Sequence, residues 1–183
     1  MRPRSKSLAL AAGFLAAFAL LVPTLGETGE DRVELTAVLE TPSGDPPIPS
    51  GKITITLDRY SSEAERAAMK KALAEGGQKG LFKLLSKTRV GKLSRPGTPD
   101  VDILYASLDE RSWGQQLSIV SERWEGFGSK GHPFNIAWVA VDCDHPGRQG
   151  AIVVGTEVHL GDKNTVWTHD GERDFWLENV ALR

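Results

Sequence analysis

Residues 52–58, Lys-Ile-Thr-Ile-Thr-Leu-Asp, alternate polar and apolar side chains at every step. Successive residues of a strand point to opposite faces, so this period of two describes a strand with one buried face. Its β-branched residues suit a pleated surface. The same alternation runs through Val33, Leu35 and Ala37, through Val101, Ile103 and Tyr105, and through Leu117 and Ile119. Residues 136–141 are almost continuously apolar, as expected of a central strand. Residues 151–160 read as a long strand, Gly161-Asp162 as a hairpin turn, 166–168 as its return, and 175–182 as the last strand. A chain with so many alternating segments must build a sheet.

One block breaks the pattern. Ser62-Glu63-Ala64-Glu65 is a capping box, in which the Ser62 hydroxyl and the Glu65 carboxylate each satisfy the other's backbone N–H. Helix formers follow to Glu75, with Ala68, Met69, Ala72 and Leu73 on one face. Gly76-Gly77 supplies a residue free to adopt positive φ and end the helix. A second helix is expected over 78–86, with Leu81, Leu84 and Leu85 on its apolar side and Phe82 beside them. Strands, a helical pair at 62–86, then strands without intervening helices predict an α+β fold. Its sheet is mainly antiparallel, and Met69, Leu73, Leu81, Phe82 and Leu85 pack the pair on one face.

The first residues carry an address. Arg2, Arg4 and Lys6 precede an apolar run over 8–22, then Pro23, with Thr24 and Gly26 as the small residues of a cleavage site. This is the layout of a secretory signal peptide over 1–26, and the run is shorter than the roughly 20 residues that span a bilayer. A short polar linker, 27–31, then leads into a single domain over 32–183. Cys143 is the only cysteine. It excludes an internal disulfide, so the core alone holds the fold, and an exported chain of that kind suits a bacterial periplasm or medium. The formal net charge of −2 becomes more negative once the basic leader is removed. That argues against nucleic acid and anionic membrane as partners. No later segment is apolar enough to be a transmembrane helix.

Residues 53–93 resemble a group of uncharacterised exported bacterial proteins. The shared features are the leader, the strand ending in Tyr60-Ser61, the capped helix, the turn Gly76-Gly77-Gln78, the second helix and the strand start Val90-Gly91. The resemblance implies element boundaries and no activity.

Residues 126–131 match Gly-x-Gly-x-x-Gly, but His132-Pro133-Phe134 and a strand follow where a dinucleotide site needs a helix. Asp142-Cys143-Asp144-His145 groups potential ligands, yet adjacent strand residues point apart, and Asp144-His145-Pro146-Gly147 reads as a turn. His159 and His169 invite a metal with Asp162 or Asp170. A two-residue turn at Gly161-Asp162 instead sets His159 opposite Asn164 and His169 on the other face, and a three-residue turn would reverse this. Trp138 and Trp167 are expected to pack within strands. The segment 122–133 is the longest Gly-rich polar connection, and it carries Trp124, Phe127, Lys130 and His132. Loops of this composition on a rigid sheet tend to bind ligands. These four residues are the candidate site for a small polar ligand, such as a sugar, or an envelope component. No catalytic set, metal site or cofactor is expected. The sequence thus favours an exported, non-catalytic binding or interaction domain. The alternatives are an enzyme using 122–133 with Cys143 and His145, or a structural, envelope-associated protein.

Overall fold

Each alternating segment folds as a strand, and the strands close on one another. The computed structural model describes residues 32–40, 50–123, 133–141, 149–161, 166–168 and 175–182. In chain order these form β1 (Val33–Glu40), β2 (Gly51–Leu57), α1 (Glu63–Leu85), β3 (Gly91–Ser94), β4 (Val101–Arg111) and β5 (Gly114–Glu122). Then come β6 (Phe134–Val141), β7 (Gly150–Thr156), β8 (His159–Leu160), β9 (Val166–Trp167) and β10 (Phe175–Leu182). The order β1-β10-β7-β6-β5-β4-β3-β2 is a closed barrel, and β8 and β9 form a separate two-stranded sheet. All the pairings are antiparallel, and β1 closes the ring on β10 with Leu35 opposite Leu182 and Glu40 opposite Trp176.

The alternation sets which side chains face the axis. Leu35, Leu39, Ile55, Ile103, Leu117, Ile119, Val139 and Leu177 meet there as one buried core. An eight-stranded ring is just wide enough for such side chains to fill it. The outer wall carries Glu34, Lys52, Lys92 and Asp102 on the alternate positions. An aliphatic interior behind a charged wall is the reverse of a membrane-spanning barrel. No described helix is long and apolar enough to cross a membrane.

A second core lies outside the barrel. The register of β4 against β5 shifts between Ile103 and Tyr105, so one extra residue turns both Leu104 and Tyr105 outward. With Val120, Phe134 and Ile136 they form an apolar patch, covered by Met69, Leu81 and Leu85 of α1 and by Val158 and Val166. Both ends of α1 are tied to the bulge. Ser61 donates its N–H to the Ala106 carbonyl at 2.8 Å and accepts the Ala106 N–H on its hydroxyl at 3.2 Å. Beyond the helix, the Thr88 hydroxyl reaches the Leu104 carbonyl at 2.9 Å.

The architecture corrects the expectation of an α+β fold with a helical pair. The sheet is a closed barrel, and α1 is a single kinked helix on its outer wall. The capping box at Ser62 and Glu65 forms as expected. Gly77 has φ 57° and ψ −154°, a backbone that bends the helix without ending the element. The bend brings the arms so close that a Cβ on Gly80 would lie 2.7 Å from the Ala72 carbonyl oxygen. Met69, Leu81 and Leu85 are buried, Leu73 is half-buried, and Phe82 stays exposed with its ring edge-on to Phe134 at 5.7 Å. Gly91 has a separate role: a Cβ there would meet the Thr56 carbonyl oxygen at 2.2 Å, so only glycine lets β3 lie against β2.

Candidate functional site

A filled interior sends any ligand contact to the outside of the barrel or to its ends. Strand direction assigns those ends. One end carries the connections 41–50, 95–100, 123–133 and 157–174. The other carries the α1 insertion, the Ser112-Trp113 turn and 142–149. Trp124, Phe127, Lys130 and His132 lie outside the described residues, as do the leader and linker over 1–31, Cys143, His145, Asp162, Lys163, Asn164, His169 and Asp170. Their anchor points are described. Arg123 and Pro133 root one segment, bonded N–H to carbonyl at 3.1 Å, while Val141 and Gln149 root the other. β6 runs between the two roots, about 23 Å at the usual rise of a strand. The segments bearing Trp124 and Cys143 therefore leave opposite ends.

The end that roots 123–133 has one further group of aromatic and polar side chains. In the β8–β9 hairpin, His159 pairs with Trp167 and Leu160 with Val166. Val158 and Val166 are buried in the outer core and Leu160 packs against it, so His159 and Trp167 share the face turned away from the barrel. Their rings stack at 4.8 Å between centroids and 31° between planes. Glu157 places a carboxylate oxygen 3.5 Å from His159 Nε2. Trp167 is 37% exposed.

The platform is held from beneath. Trp138 donates its indole N–H to the Val166 carbonyl at 3.0 Å. Gln78, just past the kink of α1, donates from its amide to the Val158 carbonyl at 2.7 Å and accepts the Val158 N–H at 3.0 Å. The Thr156 and Thr168 hydroxyls are hydrogen-bonded to each other. At the root of β7, Asn135 accepts the Gly155 N–H at 3.2 Å and donates to the Glu122 carbonyl at 2.7 Å. That side chain satisfies the bulge where β6 and β7 slip register, and Gly155 takes φ 57° there.

The hairpin corrects the expected register. A two-residue turn would have put Asn164 opposite His159; the connection instead runs over 161–165, and Trp167 takes that place. Trp167 accordingly stacks on His159 at the surface, whereas Trp138 is half-buried against the outer core. A count back from Trp167 through a longer turn would have found the pair.

Elsewhere the described outer wall carries ion pairs and, between α1 and β4, a small cavity. Arg59 grips Glu65 with two bonds of 2.7 and 2.8 Å, which hold its carboxyl down to about 2. Arg66 approaches Asp109 at 3.6 Å. Tyr105 lies buried nearby, and that burial raises its phenol above the ordinary value. The cavity between α1 and β4 is lined by Met69, Leu84, Leu85 and Leu104 and measures about 40 Å³, room for water rather than a ligand of ordinary size. Among the described residues no three His, Cys, Asp or Glu side chains come together as a metal set.

No family model matches the chain, and none of the curated proteins or solved structures matches it.

Proposed function

We propose that this is an exported, non-catalytic binding domain whose ligand, a carbohydrate or similar small hydroxylated molecule, docks on the β8–β9 platform. The exposed indole of Trp167, backed by the half-buried His159 ring on which it stacks, is the observation that carries the reading. An indole face takes the C–H face of a sugar ring, and a polar group beside it fixes orientation. Glu157, its side chain 44% exposed, supplies acceptor capacity for hydroxyls beside the indole, and its carboxylate lies 3.5 Å from His159 Nε2. The platform belongs to the end of the barrel that roots 123–133, the segment whose composition first suggested a site. The packed interior adds support, because it leaves the outer surface as the place for recognition.

Titration of the purified protein with envelope glycans, followed by calorimetry and tryptophan emission, tests this. Saturable binding is expected, and Trp167→Ala should weaken it about tenfold or more, as loss of a central aromatic contact does. Trp124→Ala, measured alongside, shows whether 123–133 shares the ligand. Binding unchanged in Trp167→Ala, or absent from the wild type, would overturn the reading.

A further inference from the structure

The barrel closes, yet one stretch of strand edge stays open. β3 is short and pairs with β4 only over Val101 to Ile103. β4 continues to Arg111, where the Ser112-Trp113 turn leads into β5 with Arg111 opposite Gly114. In a two-residue hairpin the residues flanking the turn form a hydrogen-bonded pair, and bonded and non-bonded pairs then alternate. Arg111, Asp109 and Ser107 therefore bond toward β5. The N–H and C=O groups of Ala106, Leu108 and Glu110 point the other way. Ser61 occupies those of Ala106. Among the described residues nothing bonds those of Leu108 and Glu110.

We propose that this edge, from Leu108 to the Ser112-Trp113 turn, receives an extended segment of a partner protein as an added strand, with a basic side chain opposite Glu110. Strand addition at an open edge takes its affinity from main-chain bonds and its selectivity from alternate side chains. Ser61 already makes the first rung, with one main-chain bond to the Ala106 carbonyl and its hydroxyl accepting the Ala106 N–H. Exposed aromatics stand at both ends of the edge: Tyr60 beside Ser61, and Trp113, 48% exposed, at the tip. Glu110 is exposed, and Glu63 at the start of α1 is 82% exposed.

Charge decides the occupant. Were a second copy to pair here, the register matching Leu108 with Glu110 would set the two Asp109 side chains face to face. The register centred on Glu110 would oppose the two Glu110 carboxylates. Like charges directly opposite destabilise a pair of strands. A strand of another protein that sets a basic side chain opposite Glu110 and a neutral one opposite Arg111 meets no such repulsion. This surface lies at the end of the barrel opposite the β8–β9 platform, so it stands or falls independently of the proposed ligand site.

Fluorescence anisotropy of a labelled octapeptide of alternating threonine and lysine, against its threonine–glutamate counterpart, tests the proposal. The lysine peptide should bind saturably and the glutamate peptide should not. Leu108→Pro removes one outward N–H while leaving the β5 ladder intact, and should weaken binding about tenfold, the worth of one such bond. Circular dichroism checks its fold; Glu110→Lys, which keeps every backbone group, should reverse the preference toward the glutamate peptide. The proposal is overturned by any of three results. Neither peptide binds; both variants, folded, bind as the wild type does; or size exclusion shows a dimer that Leu108→Pro dissolves, which would give the edge to a second copy.

Discussion

The protein has two hydrophobic cores, built on different terms. The inner one is made by strands alone, from aliphatic side chains such as Leu39, Ile55 and Leu117 closed in by the ring. The outer one is shared by a helix, a hairpin and the barrel wall, and it uses larger, polar-tipped side chains such as Tyr105 and Trp138. Side-chain bonds to the backbone hold it in place, from Ser61, Gln78, Thr88 and Trp138. The ring fixes the walls of the inner core, so a void there has little scope to collapse. The helix over the outer core is tied at its ends and at Gln78 but is not enclosed by a ring, so it has more scope to settle into a void. The difference teaches where the molecule is rigid and where it can adjust, and the proposed ligand platform lies on the outer layer.

Substitutions can break this comparison. Ile55→Ala, in the inner core, should cost about 4 kcal/mol in urea unfolding, the upper part of the range for such truncations. Leu81→Ala removes an equally buried side chain beneath α1, and should cost less, about 2–3 kcal/mol, because the helix can settle into the gap. Equal losses would show the helix to be as firmly fixed as the ring.

Gln78→Ala leaves the Val158 N–H and C=O without their partner and should cost about 1–2 kcal/mol. Hydrogen exchange should then quicken at Val158 and in the second arm of α1 before it does in the barrel strands. The smallest effect is expected at the rim of the outer core. Arg59 lowers the Glu65 carboxyl from 4.5 to about 2, so this contribution is complete above the unfolded value and fades as pH falls from 4.5 through 2. Glu65→Gln should cost no more than about 1 kcal/mol at neutral pH, since Arg59 is half-exposed, and nothing near pH 2.

The strands were legible because each keeps one apolar face; β10, over 175–182, has the bounds that its pattern indicates. Closure was not. Alternation marks which side chains are buried, but an open sheet under a helix and a ring give the same alternation. The pairing of β1 with β10 joins residues too distant for any local pattern to record. The kink was half legible: Gly77 signals positive φ, but whether the chain stops or bends there is set by tertiary contacts such as those of Gln78 with Val158, 80 residues away. The Leu104-Tyr105 bulge hides as two adjacent apolar residues in β4. At the platform, His159 was visible as a residue and invisible as half of a stack, because the turn after Gly161 is longer than its dipeptide suggests.

Closure by the first and last strands also orders events in time. β1 has only β2 to pair with until β10 has been made, so no length of chain short of the last strand can complete the ring. Such distant pairings are slow to form because they close a long loop. Hairpins such as β4–β5 and β5–β6 can pair locally and early, whereas the ring itself is complete only once β10 has joined both β7 and β1.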